Sequence, residues 1–124
     1  MHSKLIYMTL DQENIPQKIS IILPENPTLK DYQNYLAAIV KERGFDHETI
    51  TETFMLFTEE CGELAKALRQ YEQIKSGEHS IKHNLAYECA DVLIYLIEIC
   101  NLCGVDLEKA FLDKEEINSK REWK

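Results

Sequence analysis

The sequence is poor in glycine and proline, the residues that most often interrupt helices and strands. It has four glycines and three prolines in 124 residues. No glycine-rich P-loop motif is present to cradle the phosphate groups of a nucleotide. All three prolines fall in the first 27 residues. We therefore expect a short arm, residues 1–27, followed by one domain, residues 28–124.

An excess of positive charge and a long apolar run are also missing. The net charge is −8, which argues against nonspecific binding to nucleic acid or anionic membranes. The most apolar run, residues 92–103, is shorter than the about 20 residues that span a membrane, and Glu98 and Asn101 interrupt it. The start lacks the continuous apolar segment of a signal peptide. These absences predict a soluble, cytoplasmic protein.

The four cysteines all fall in predicted helices. They are typical of small core residues in a reducing compartment. Cys100 and Cys103 form a C-x-x-C motif. Without a second such pair or a βαβ context, core packing is favoured over a redox or zinc role.

From Thr28 onward, apolar residues recur at helical spacing. Thr28 is expected to cap a first helix that ends at Gly44. Asp46 is expected to cap the second helix, and Asp106 the fourth. Residues 28–124 are therefore predicted to form an all-α, four-helix domain.

Residues 1–27 are predicted to form an N-terminal arm. Two short apolar runs, residues 5–8 and 19–23, are candidates for one or two strands. A flexible tail is the alternative that the sequence leaves open.

The middle helices carry more apolar surface than a small bundle covers. The second has an apolar seam that includes Phe54 and Leu68, typical of a helix bundle. The third is apolar almost all the way round, with Leu93 and Ile97 opposite the side of Tyr95. Such a helix must be covered on several sides. We therefore predict a homo-oligomer, either a dimer or a dimer of dimers.

Five carboxylates stand out on these two helices. Glu59, Glu60 and Glu63 lie on the second, and Glu88 and Asp91 on an apolar stripe of the third. A solvated face is the alternative for each group. Buried carboxylates are costly unless they are paired or bind a metal, and clustered carboxylate oxygens suit Mg²⁺ or Mn²⁺. The sequence therefore predicts a divalent-metal site between two helices.

The order of the acids resembles that of the MazG-like, all-α nucleoside triphosphate pyrophosphohydrolases. Residues 59–63 read E-E-x-x-E, and residues 88–91, on the next predicted helix, read E-x-x-D. The resemblance covers roughly residues 28–123. It includes Gly44-Phe45 and a basic, asparagine-containing segment, residues 114–121. The N-terminal arm is not part of it.

The resemblance implies Mg²⁺-dependent hydrolysis, with Mn²⁺ as an alternative ion, of a nucleoside triphosphate to the monophosphate and pyrophosphate. A canonical or modified deoxynucleotide is the expected substrate, and house-cleaning of the nucleotide pool the expected role. Four acids become the implied metal ligands: Glu60, Glu63, Glu88 and Asp91. Glu59 and Glu60 become catalytic, with Glu59 completing a second metal site or holding the attacking water. Phosphate or sugar contacts are implied for three residues: Lys114, Asn118 and Arg121.

Other readings stay open on the sequence alone. One is an enzyme like phosphoribosyl-ATP pyrophosphohydrolase, and another is a non-enzymatic helical dimerisation module. His79 and His83 are expected to be a solvated pair and not a metal site. Trp123 is expected either to stack on a base or to pack against a neighbouring subunit. The residues do not reveal the nucleobase or the sugar.

Overall fold

The computed structural model describes residues 6–8, 19–73 and 79–123. Its helices are α1 (Leu29–Glu42), α2 (Ile50–Gln73), α3 (His79–Cys103) and α4 (Leu107–Ser119). Two short strands, β1 (Ile6–Met8) and β2 (Ile19–Ile21), precede them. The predicted all-α, four-helix class is confirmed. Within the described ranges, no helix is long and apolar enough to cross a membrane.

The described residues form two compact units. The first runs up to Asp46 and resumes at Gly104, so it holds both strands, α1 and α4. The second, His47–Cys103, holds α2 and α3. The division of the sequence between residues 27 and 28 stays a prediction.

The N-terminal arm contributes a two-stranded antiparallel ladder. Its register pairs Ile6 with Ile21 and Met8 with Ile19. Both strands coincide with apolar runs in the sequence, where β-branched residues favour extended backbone. The other residues of the segment 1–18 lie outside the described part of the chain.

Thr28 caps α1 as predicted. Its hydroxyl accepts from the N–H of Asp31 at 3.2 Å, and its own N–H donates to the Asp31 carboxylate at 2.9 Å. This reciprocal pair satisfies backbone donors that a first helical turn leaves free. Beyond the last turn, Gly44 has a φ of 77°, a left-handed conformation that glycine adopts at little cost.

Asp106 caps α4, also as predicted. Its carboxylate accepts from the N–H of Lys109 at 3.1 Å and lies 3.1 Å from the ammonium of Lys30 on α1. The bond from the Lys109 backbone, followed by the bond from Lys30, holds the pKa of Asp106 below its ordinary value. The cap therefore also links α4 to α1.

Gln33 makes the more buried link between α1 and the start of α4. Its side-chain N–H donates to the Val105 carbonyl, and its side-chain oxygen accepts from the N–H of Leu107 at 3.1 Å. Gln33 is only 5% exposed. One side-chain amide thus satisfies two backbone groups of the turn between α3 and α4.

Replacing Gln33 with methionine should destabilise the protein. The substitution keeps a similar volume but leaves the Val105 carbonyl and the Leu107 N–H without this partner. We expect the free energy of unfolding to fall by about 2 kcal/mol, measured by urea denaturation. The control Gln70→Met, at an exposed position of α2, should change it by less than about 0.5 kcal/mol. Equal losses in both variants would contradict the role of Gln33.

The second helix begins later than predicted, and the expectation that Asp46 caps it is wrong. The hydroxyl of Thr49 accepts from the N–H of Glu52 at 3.1 Å and donates to the Glu52 carboxylate at 3.1 Å. A glutamate three residues after the cap residue can accept a second hydrogen bond from that residue, from the backbone N–H in a capping box and from the hydroxyl here. The residue three positions after Asp46 is Thr49, and threonine lacks the carboxylate that completes the motif.

The apolar seam predicted for α2 is only partly covered. Phe54 is 57% exposed and Leu68 is 46% exposed, whereas Thr53 and Ala67 beside them are buried. On α3, Ile97 is buried. The buried side of α2 therefore contains the residues next to those of the apolar repeat, Thr53 beside Phe54 and Ala67 beside Leu68. Small side chains permit close approach of two helices, while large apolar ones remain in contact with solvent.

Candidate metal centre

Three carboxylates from α2 and α3 meet at one place. Glu60 projects from α2, and Glu88 and Asp91 from α3. One oxygen of each lies within 4.8 Å of the others, and none of these side chains is buried. The two acids of α3 are three residues apart and so share a helix face. The sequence spacing thus brings together three of the four predicted ligands, from two helices.

Negative charge accumulates at Glu60. The pKa of its carboxyl is raised above the ordinary value, first by partial burial and then by the charges of Asp91 and Glu88. Glu59 and Glu63 add smaller contributions in the same direction. Each cause disfavours the ionised form of Glu60. A bound cation would reverse this balance, because it stabilises every carboxylate around it.

The donor set suits a hard divalent cation. Mg²⁺ holds oxygen ligands at about 2.0–2.1 Å, so ligands on opposite sides of the ion lie about 4 Å apart. The three oxygens, at up to 4.8 Å from one another, are close to that size. Among the described residues, this group contains carboxylate oxygens and no thiol or imidazole, a set that favours Mg²⁺ or Mn²⁺ over softer metals.

Glu63, the fourth predicted ligand, does not join this group of three. It lies one turn from Glu60 on α2, exposed, and acts on Glu60 through its charge. Glu59 is likewise exposed and close enough to raise the pKa of Glu60. The metal-binding role of Glu63 and the catalytic roles of Glu59 and Glu60 stay predictions.

The predicted phosphate-contacting residues belong to the other unit. Lys114 is exposed on α4 and Asn118 half-buried near its end, while Arg121 follows the helix. The guanidinium of Arg121 lies 5.1 Å from the centroid of the Trp123 ring, in range of a cation–π contact. Their roles stay predictions. The side chains of residues 79–83, which include His79 and His83, lie outside the described residues.

Sequence reasoning missed a second acidic pair in the α2–α3 unit. Glu98, half-buried on α3, has a pKa raised by burial and then by the charge of Glu48, which precedes α2. Between Glu98 and the metal cluster lies Tyr95, whose pKa is raised first by burial and then by Glu98. The available signal was the position of Glu98, seven residues after Asp91 and within the mainly apolar run of residues 92–103.

The direction of the helices follows from these pairs. Glu60, in the middle of α2, lies beside Asp91 in the middle of α3. Glu48, before α2, acts on Glu98 near the end of α3. The two helices therefore run antiparallel, so the second acidic pair lies further along the same helix pair than the metal cluster.

Fold and site together define a class: all-α proteins that present carboxylates from two consecutive antiparallel helices. Residues 45–122 match the MazG nucleotide pyrophosphohydrolase domain. This match covers more than half of the chain. The protein therefore belongs to the MazG nucleotide pyrophosphohydrolase family, as its acidic motifs predicted.

Curated relatives include three mammalian proteins named dCTP pyrophosphatase 1. The rat protein is 30% identical over 100 residues, which make up 77% of this chain and 59% of the relative. The human protein is 32% identical over 100 residues, which again make up 77% of this chain and 59% of the relative. The mouse protein is 28% identical over 118 residues, 91% of this chain and 69% of the relative. The chain thus spans about three-fifths of the rat and human relatives it matches.

A divalent cation should stabilise the protein through the three-carboxylate cluster. A ligand at one hundred times its dissociation constant adds about 2.7 kcal/mol to the free energy of unfolding. We expect the melting temperature to rise with MgCl₂ or MnCl₂ at constant ionic strength. Glu60→Gln should reduce this rise strongly, because it removes one ligand.

The matched control for this shift is Glu72→Gln, an exposed position on the same helix. It should keep the full response to the cation. Constant ionic strength separates specific binding from screening of the net negative charge. If Glu60→Gln responds to the cation as the wild type does, the cluster is not the binding site.

Proposed function

We propose that the protein is a cytoplasmic nucleoside triphosphate pyrophosphohydrolase. It hydrolyses a deoxynucleoside triphosphate to the monophosphate and pyrophosphate, and so removes unwanted nucleotides from the pool. The observation that carries this proposal is the convergence of Glu60, Glu88 and Asp91 within 4.8 Å in a chain of this family. The name shared by the mammalian relatives supports a deoxynucleotide substrate.

In this proposal the cluster holds Mg²⁺, or Mn²⁺ in its place, with Glu63 as a further ligand. The bound ion offsets the negative charge of the triphosphate and makes water more acidic. Glu59, exposed beside the cluster, positions the attacking water and accepts its proton. A rigid helix carries each of these groups, which keeps their spacing fixed during the reaction.

Cationic and amide side chains complete the proposed machinery. Lys114 and Arg121 contact phosphate oxygens and stabilise the charge that develops on the departing pyrophosphate. Asn118 contacts phosphate or sugar. Because these residues carry charge and donors of the type that bind phosphate, they suit the anionic end of the substrate.

We also propose that the working form is a homodimer or a dimer of dimers. Large apolar side chains on both central helices are exposed in a single chain: Phe54, Met55, Leu68, Tyr87, Leu93 and Leu102. Soluble monomers rarely expose extended apolar patches. Light scattering at micromolar concentration should give at least twice the mass of one chain, and a well-folded monomer would contradict the proposal.

Hydrolysis in ¹⁸O-labelled water tests the proposed reaction. The protein is incubated with Mg²⁺ and a panel of canonical and modified nucleoside triphosphates, and pyrophosphate is measured. We expect the label in the nucleoside monophosphate, because water attacks the α-phosphorus. Glu60→Gln and Asp91→Asn should each lower kcat at least about 100-fold, since each removes a carboxylate from the shared cluster.

Glu72→Gln is again the control and should retain full turnover. Circular dichroism checks that all variants are folded. Label in orthophosphate, or in pyrophosphate alone, would contradict the site of cleavage. Near-normal turnover by Glu60→Gln would contradict the assignment of the cluster, and no turnover of any nucleotide would favour a non-enzymatic helical module.

A further inference from the structure

Glu98 is an unusual acidic residue near the end of α3, where most neighbouring side chains in the sequence are apolar. It is half-buried, and within the described residues no lysine or arginine forms an ion pair with it. The charge that acts on it is the like charge of Glu48. A carboxylate that is partly removed from water and repelled by the charge of another carboxylate destabilises the fold. Such a cost is typical of residues kept for binding.

The position of Glu98 relates it to the metal cluster. It follows Asp91 by seven residues on α3, two turns and about 10 Å along the helix axis. Seven residues return to nearly the same helix face. Tyr95 lies between them and interacts with charges at both ends, Glu98 and Glu48 on one side, Glu60 and Asp91 on the other. One polar strip therefore runs from the cluster to Glu98.

This distance matches the dimensions of a nucleotide. If the phosphates bind at the cluster, the sugar extends along the strip and the base reaches one to two turns further. Tyr95 then offers a ring and a hydroxyl beside the sugar or base. Glu98 offers two oxygens that, when ionised, only accept hydrogen bonds.

We propose that Glu98 selects the base by accepting a hydrogen bond from the exocyclic amino group of cytosine. Glutamate and aspartate are the usual acceptors for this group. Thymine carries an oxygen at the same ring position, which is itself an acceptor, and uracil shares that feature. A carboxylate thus binds cytosine and repels the other pyrimidines. This inference rests on the proposed pyrophosphohydrolase activity and adds the identity of the base.

The test compares dCTP with dUTP and dTTP on wild type and Glu98→Gln. A glutamine amide can rotate and donate to the oxygen of uracil, so the variant loses discrimination. We expect kcat/KM for dCTP to fall about tenfold or more, mainly through KM, because the base lies away from the reacting phosphorus. The value for dUTP should stay constant or rise. Glu72→Gln should leave the ratio unchanged.

Two further measurements separate selectivity from a structural role. Glu98→Gln removes the repulsion with Glu48, so its melting temperature at neutral pH should be no lower than that of the wild type. Metal binding, measured by the cation-induced shift in melting temperature, should be unchanged. A purely structural effect would instead change dCTP and dUTP turnover by the same factor.

The possible outcomes distinguish failure of the Glu98 assignment from failure of the proposed pyrophosphohydrolase activity. A wild type without activity on any nucleotide contradicts the pyrophosphohydrolase function itself. An active enzyme whose dCTP/dUTP ratio is the same in Glu98→Gln contradicts the role of Glu98 alone. A wild-type preference for dUTP or dTTP, or a Glu98-dependent preference for a purine nucleotide, also overturns the assignment to cytosine.

Discussion

Repulsion between carboxylates is the constraint around which the α2–α3 unit is organised. Three acids within 4.8 Å of one another disfavour the approach of the two helices unless a cation is present. Packing supplies the opposing force: Thr53 and Ala67 on α2, and Ile97 and Cys100 on α3, are buried. The small side chains among them let the helix backbones come close, which is also what brings the carboxylates within range of a single ion.

The two acidic groups of this unit are of different kinds. The cluster at Glu60 has three carboxylates from two helices, and a bound divalent cation would neutralise most of its charge. The pair of Glu98 and Glu48 has two, lies about two turns away, and lacks the third ligand of the cluster. An electrostatic cost carried by both groups before a ligand binds is consistent with sites that trade stability for function.

The sequence predicted the parts of the fold that depend on local chemistry. Thr28, Gly44 and Asp106 were identified because a cap depends on one residue and its near neighbours. Asp46 was wrongly predicted as the cap. Asp46 and Thr49 compete for the start of the helix, and Thr49 has the better partner because Glu52 lies three residues after it. The seam containing Phe54 is only partly covered in a single chain, because the buried side of a helix depends on the neighbour's shape and not on apolar period alone.

The difference between local and long-range determinants also explains which acidic residues could be predicted from the sequence. Glu60, Glu88 and Asp91 were predicted because they belong to motifs. Residues at a fixed short spacing on a helix lie on a predictable face, so the motif also predicts where their side chains point. Glu98 belongs to no motif. The structure identifies it by its partial burial and by the charge of Glu48, fifty positions earlier in the chain, which raises its pKa. Because sites more than about 7–10 Å apart act nearly independently, a residue two turns from the cluster can change without disturbing the metal ligands. Under the roles proposed for Glu98 and the cluster, base selectivity can therefore vary while the chemistry proposed at the phosphates is retained.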